Sequence, residues 1–138
     1  MPYGKLEHAN ITVTDPDRSA ALFKALLGWE ERWRGSSLLG GRSIHVGEPD
    51  NGGNYIAIYT NDEVQAEAAK NGGRRYSKGQ PLNHLGLLVD DLDAAEKAVV
   101  EAGFEPFSHD DYEPGRRFYF FDWDGIEFEL VSYSGDAA

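Results

Sequence analysis

Short runs in which hydrophobic and polar residues alternate dominate this chain, and two longer runs have the 3.6-residue period of an amphipathic helix. In the first run, Leu6–Thr14, polar and apolar residues alternate from His8 onward, so that His8 and Asn10 share one side of a predicted strand. The first predicted helix follows at once. Asp15 is suited to be its N-cap, and Gly28 is suited to end it.

The same reading of period and turn residues predicts the rest of the elements. In chain order they are strands at about Trp29–Arg34, Arg42–Gly47 and Tyr55–Thr60, a short helix over Glu63–Lys70, a strand at Leu82–Val89, a helix at about Leu92–Ala102, and strands near Phe104–Ser108, Arg117–Phe121 and Glu127–Tyr133. The order β-α-β-β-β therefore occurs twice.

The two groups are copies of one unit. Leu6-Glu7-His8 returns as Leu82-Asn83-His84 at an offset of 84 − 8 = 76 residues, and each copy continues as a strand, an acidic turn and an alanine-rich helix. A single copy is too small to bury its apolar face alone. We therefore predict one domain over residues 1–138, with module 1 at about 5–60, a linker at 61–81 and module 2 at about 82–134.

Composition excludes several classes of function. The net charge of −11 and the isoelectric point near 4.6 oppose binding to the phosphate backbone of nucleic acid. No apolar run approaches the length of about 18 residues that spans a membrane, and the N-terminal residues do not have the pattern of a signal peptide, so we expect a cytoplasmic protein. Because cysteine is absent, any metal must be held by histidine, aspartate, glutamate or water.

The paired βαβββ units, the histidine in the first strand of each and one closing segment resemble the vicinal oxygen chelate superfamily. The segment is Phe120-Phe121-Asp122-Trp123-Asp124-Gly125-Ile126-Glu127-Phe128-Glu129-Leu130. The superfamily includes glyoxalase I, methylmalonyl-CoA epimerase, extradiol dioxygenases, fosfomycin-resistance thiol transferases and bleomycin-resistance proteins. The resemblance extends over about Lys5–Ser134. It implies an α+β fold in which two tandem modules form a partly closed, eight-stranded, barrel-like sheet, and it implies a homodimer. Whether each barrel forms within one chain or across the dimer is left open.

The resemblance also implies a metal site. His8, His84 and Glu129 would point into one cavity, and two imidazoles with one carboxylate suit a divalent ion. Fe(II) is favoured, with Mn(II), Ni(II), Co(II) or Zn(II) as alternatives. The two-residue period of the last strand supports this assignment, because it puts Glu129 on the side opposite the apolar residues Phe128 and Leu130.

One position separates members of the superfamily. An offset of 125 − 53 = 72 residues places Ala57 opposite Glu129, where glyoxalase I and the epimerase have Glu or Gln. Alanine can neither bind a metal nor transfer a proton, so isomerase chemistry is disfavoured. Two histidines and one glutamate resemble instead the extradiol dioxygenases and the fosfomycin-resistance transferases. His45 could replace the missing ligand only if its strand turned it inward.

We predict a metal-dependent enzyme that binds adjacent oxygens of a small organic substrate, with extradiol-type dioxygenation ahead of other reactions. Asn10 stands where the fosfomycin enzymes have threonine, and a negative protein disfavours a phosphonate substrate. The expected catalytic acid–base residues are His109 and Tyr119, and the expected substrate-binding residues are Asn10, Tyr55 and Arg116. The alternatives are a glyoxalase-type lyase or isomerase, a fosfomycin-type thiol transferase, and a metal-free, bleomycin-resistance-like protein that sequesters a ligand.

Overall fold

The computed structural model of this chain describes residues 6–36, 40–50, 53–71, 82–112 and 115–133. Its elements in chain order are β1 (His8–Thr12), α1 (Pro16–Leu27), β2 (Glu30–Ser36), β3 (Arg42–Gly47), β4 (Tyr55–Thr60), α2 (Asp62–Asn71), β5 (Leu85–Leu88), α3 (Leu92–Glu101), β6 (Phe107–Tyr112), β7 (Gly115–Phe121) and β8 (Glu127–Tyr133). None of the helices in these ranges is long and apolar enough to cross a membrane.

The chain divides into two compact units, Met1–Gly72 and Gly73–Ala138. Each unit contains a four-stranded sheet, with the strand order β1-β4-β3-β2 in the first and β5-β8-β7-β6 in the second. In both sheets the first strand of the unit pairs in parallel with the last, and the other pairs are antiparallel. The predicted α+β class with tandem βαβββ units is confirmed. The described strands form two four-stranded sheets that are not closed into a barrel, whereas we expected one partly closed, eight-stranded, barrel-like sheet.

In unit 1, α1 packs against β3 and β4. The carboxylate of Asp15 accepts a hydrogen bond from the backbone N–H of Arg18 at 3.2 Å, and Gly28 ends the helix in the left-handed conformation, with φ of 69°. Both caps are those expected from the sequence. The helix buries Phe23 and Leu26 on its sheet-facing side.

In unit 2, α3 packs against β7 and β8 in the same way. Its N-cap is Asp91, whose carboxylate accepts from the backbone N–H of Ala94 at 3.0 Å. The core beneath it is aromatic, since Phe118, Phe120 and Phe128 are almost completely buried.

The position of β6 differs from the prediction. Phe104 does not belong to a strand; its ring packs against those of Phe120 and Trp123, with centroid separations of 5.3 and 4.6 Å. The strand starts only at Phe107, and the irregular pairing that follows includes Ser108 at φ of 53°. A hydrophobic residue that anchors a loop in the core has the same local pattern as one that begins a strand.

The predicted linker 61–81 contains α2, and its residues 72–81 lie outside the described part of the chain.

The turn between β7 and β8 depends on one buried carboxylate. Oδ1 of Asp122 accepts hydrogen bonds from the backbone N–H groups of Asp124 and Ile126, each at 2.9 Å. We expect Asp122→Ala to lower the free energy of unfolding by about 2–3 kcal/mol, because two buried donors lose a charged acceptor. Urea denaturation measures this loss. Asp122→Asn keeps an acceptor oxygen and should lose less; equal losses for the two variants would show that these bonds do not stabilise the turn.

Candidate functional site

Strand register gives Ala57 and Glu129 equivalent places in the two units. Ala57 pairs with Asn10 of β1 and with His45 of β3. Glu129 has Tyr119 as its partner on β7, at the place that His45 occupies in unit 1. In unit 1, the position equivalent to Glu129 is therefore flanked by an amide, Asn10, and an imidazole, His45.

In unit 2, three side chains converge on β8. Nε2 of His84 lies 3.0 Å from Oε1 of Glu129, and Nη1 of Arg117 donates to the other carboxylate oxygen, Oε2, at 2.8 Å. The ring of Tyr119 meets that of His84 edge to face, with 5.5 Å between centroids. Two of the predicted site residues on module 2, His84 and Glu129, are thus in contact, with the predicted Tyr119 beside them.

The two nitrogens of the His84 ring both face oxygen atoms. Nδ1 lies 2.8 Å from Oδ1 of Asn83, while Nε2 faces Glu129. A neutral imidazole has only one N–H, so a ring that donates from Nδ1 turns the lone pair of Nε2 toward Oε1, and a cation can be shared by these two atoms. In an octahedral ion, two neighbouring ligand atoms at right angles, each about 2.1 Å from the ion, lie about 3.0 Å apart. The donor atoms of His84 and Glu129 therefore fit two neighbouring positions around a divalent metal.

A second carboxylate lies beside this pair. Glu127 has only 3% of its surface exposed and Glu129 only 8%, and both are on the same side of β8. Oε2 of Glu127 is 4.0 Å from Nδ1 of His84. Buried carboxylates require compensating charge, and the surroundings of β8 supply it through Arg117 and His84.

A cavity of about 440 Å³ opens at these side chains within unit 2. It is lined by Asn83, His84, Phe107, Ser108, Asp110, Arg117, Tyr119 and Glu127. It therefore combines one imidazole, one guanidinium, two carboxylates and two aromatic rings, a lining suited to a small polar organic molecule.

The equivalent face of unit 1 is built from rings. His8 stacks on Tyr55 with 4.9 Å between centroids, Tyr55 stacks on His45 at 4.6 Å, and His45 contacts Trp33 at 4.8 Å. These four rings come from β1, β4, β3 and β2, so the row crosses the whole sheet. Nδ1 of His8 is 2.9 Å from a carboxylate oxygen of Glu7.

His45 is the residue of this row whose contacts with the other rings we did not predict. Burial lowers its pKa, and the positive charge of His8 lowers that pKa further, whereas the carboxylate of Glu7 acts in the opposite direction. We expect the C2–H resonance of His45 to titrate below 6.5, the ordinary pKa of the group. In His8→Asn the His45 pKa should rise only part of the way, because burial is the larger cause.

The His45 pKa also has a consequence for stability. Below pH 6.5 the unfolded chain binds a proton more readily than the folded chain. The contribution of neutral His45 to the free energy of unfolding is therefore complete above pH 6.5 and is lost as the pH falls toward its folded pKa. A His45 titration midpoint at or above 6.5 would contradict this account.

The structure places two expected site residues elsewhere. Nε2 of His109 lies 3.0 Å from a carboxylate oxygen of Glu96 on α3, and the ring of His109 stacks on buried Phe118. Arg116 donates to Asp93 of α3 at 3.0 Å. Both side chains are thus held by the helix side of the sheet, opposite Glu129.

Arg117, which we did not assign to the site, is the arginine that contacts Glu129. Neighbouring residues of a strand point to opposite faces, so Arg117 shares the face of Tyr119 and Arg116 does not. Because Tyr119 was assigned to the site, the two-residue period alone could have selected Arg117.

The predicted metal triad combines residues of both units, His8 from the first and His84 and Glu129 from the second. Within the ranges that the structure describes, no group of three or more histidine, aspartate or glutamate side chains is arranged to hold a metal ion. The contact of His84 with Glu129 is the part of the predicted triad that lies within a single unit.

Comparison with known proteins identifies the family. The model of the glyoxalase/bleomycin resistance protein/dioxygenase superfamily matches residues 5–130. The chain therefore belongs to this superfamily, and the resemblance seen in the sequence is confirmed.

Solved structures share the fold. A glyoxylase/bleomycin resistance protein/dioxygenase domain from Frankia sp. EAN1pec is 26% identical, with 96% of this chain and 93% of that chain covered and a TM-score of 0.74. The fosfomycin resistance protein FosX from Mesorhizobium loti is 23% identical, with coverage of 95% and 92% and a TM-score of 0.66. FosX from Listeria monocytogenes, solved with Mn(II) and sulfate, is 18% identical, with coverage of 96% and 95% and a TM-score of 0.69. The search of curated proteins found no significant match.

Proposed function

We propose that this protein is a metal-dependent enzyme in which His8, His84 and Glu129 hold one divalent ion that chelates adjacent oxygens of a small organic substrate. The observation that carries the proposal is the 3.0 Å approach of Nε2 of His84, which lines a polar cavity, to Oε1 of Glu129. When bound, the ion supplies Lewis-acid activation of the substrate oxygens. As part of the same proposal we expect a homodimer in the cytoplasm.

The surroundings of the two histidines support their role as ligands. In both repeats the residue before the histidine places a side-chain oxygen at Nδ1, Glu7 at 2.9 Å and Asn83 at 2.8 Å. A proton held on Nδ1 leaves the lone pair of Nε2 for a metal, and this is the usual arrangement of metal-binding histidines. The repeat therefore supplies two similarly prepared nitrogen donors.

The reaction that these residues favour is dioxygenation of the extradiol type, with Fe(II) as the first metal to test. Ala57 provides no proton-transferring group, which disfavours isomerisation. Tyr119, in contact with the His84 ring, is the proposed acid–base residue, and Asn10 and Tyr55 are the proposed substrate contacts beside His8. Because FosX from Listeria monocytogenes was solved with Mn(II), Mn(II) is the second metal to test.

One observation favours a second candidate function, a metal-free protein that binds and sequesters a ligand. The carboxylate of Glu129 already contacts two cationic or potentially cationic groups, Arg117 and His84. A carboxylate compensated in this way needs no metal to be stable in a buried position.

Metal content separates the two functions. We expect protein purified anaerobically without chelator to contain about one metal ion per chain, and His84→Ala to contain little, because a vacant ligand position weakens binding severely. The control is His109→Ala, which removes a histidine from the helix side of the same unit. No metal in the parent protein, even after loading with Fe(II), Mn(II), Ni(II) or Zn(II), would exclude the metalloenzyme and leave the ligand-binding protein.

A further inference from the structure

The two carboxylate oxygens of Glu129 contact different partners. Oε1 faces His84, whereas Oε2 accepts from Arg117 at 2.8 Å. The side chains of Arg117 and Glu129 are only 14% and 11% exposed, so solvent screens this ion pair weakly. A metal that binds Glu129 therefore encounters a carboxylate with one oxygen already engaged by a fixed positive charge.

The guanidinium of Arg117 and a divalent ion are both positively charged, so either one can offset the negative charge of Glu129. The buried carboxylates of Glu127 and Glu129 lie on the same side of β8 and carry the negative charge that either cation can offset. Two cations on one carboxylate repel each other, and the repulsion is strong where water is largely excluded. A guanidinium beside Glu129 is therefore expected to favour the metal-free site over the metal-bound one.

We propose that Arg117 competes with the divalent ion for Glu129 and thereby sets the metal affinity of the site. This inference rests on the proposed function, because it assumes that Glu129 is a metal ligand. Arg117 acts through Glu129 and is not a catalytic residue.

The opposite role is also chemically reasonable and gives the opposite result. Hydrogen-bonded neighbours of metal ligands commonly orient the ligand, and their loss lowers metal affinity by about 10–100-fold. If Arg117 only orients Glu129, its replacement must weaken metal binding. If Arg117 competes, its replacement must strengthen metal binding.

Calorimetric titration with Mn(II) of the full chain tests the competition. We expect Arg117→Met to bind Mn(II) at least about 10-fold more tightly than the parent, since one charge repelling a divalent ion is removed. Arg117→Gln retains a hydrogen-bond donor without charge and should show the same gain, whereas Arg117→Lys retains the charge and should show none. Arg116→Met is the matched control, because it removes an equal charge from the next residue but on the α3 side of the sheet.

The melting temperature of metal-free protein supplies a second measurement. Arg117→Met should melt lower by about 6 °C or more, because it removes the guanidinium that offsets the charge of a buried carboxylate. Saturating Mn(II) should then raise its melting temperature more than that of the parent. A lower melting temperature without any gain in Mn(II) affinity overturns the inference.

The outcomes also separate this inference from the proposed function. If the parent binds Mn(II) and Arg117→Met and Arg117→Gln bind it equally or more weakly, the inference fails and the proposed function stands. If only the variants bind Mn(II), competition is supported and the unmodified chain is not a metalloenzyme. If no form binds Mn(II), both are overturned.

Discussion

Replacing Glu129 with glutamine should weaken the binding of a divalent ion by more than about 100-fold. Loss of a group that only orients a ligand costs about 10–100-fold, and Glu129 is proposed as a ligand itself. Glutamine preserves the volume of the side chain but removes the negative charge that attracts the ion. It also removes the negative charge that lies 2.8 Å from the guanidinium of Arg117. Calorimetry with Mn(II) or Fe(II) under anaerobic conditions measures the change.

Glu127→Gln is the matched control for this experiment. Glu127 lies two residues away on the same strand and is equally buried, but its carboxylate approaches His84 only to 4.0 Å. We expect this variant to lose about 10-fold or less in affinity, through the reduced negative charge near the site. A larger loss for Glu127→Gln than for Glu129→Gln would show that the two carboxylates have been assigned the wrong roles.

Replacing Phe118 with alanine should lower the free energy of unfolding by about 3–5 kcal/mol. The ring is completely buried, and its strand partner Leu130 is buried equally deeply. Removal of the ring leaves a cavity that a close-packed core between β7, β8 and α3 cannot fill by small movements. Denaturation by urea, followed by circular dichroism, gives the difference.

Phe121→Ala is the control in the same strand. Phe121 is only partly buried and stacks on Phe107, on the sheet face opposite Phe118. Its loss should cost clearly less than that of Phe118, because water already reaches part of the ring. Equal losses in the free energy of unfolding would mean that Phe118 is no more a part of the core of unit 2 than Phe121 is.

Much of the fold could be predicted from the sequence because its signals are local. The caps Asp15 and Gly28 define α1, and alternation in Tyr55–Thr60 and Glu127–Tyr133 gives the strands β4 and β8 with the observed bounds. The predicted start of β6 was wrong because Phe104, which packs in the core, has the same hydrophobic pattern as a residue that begins a strand. The expected partial closure of all eight strands into one sheet differs from the two four-stranded sheets for another reason: strand pairing between modules is a long-range property to which no local pattern corresponds.

The candidate site likewise has features that follow from the sequence and features that only the tertiary structure decides. The repeat of His8 and His84, and the alignment of Ala57 with Glu129, follow from sequence alone because equal spacing in two copies of one unit implies equal places in their sheets. The actual partners of Glu129 required the tertiary structure. The two-residue period puts Arg116 and Arg117 on opposite faces of the strand, but only the packed structure shows that Arg117 reaches Glu129 and that Arg116 reaches Asp93 on α3. Chain position thus determined which residues are equivalent, and packing of strands and helix decided which side chains meet.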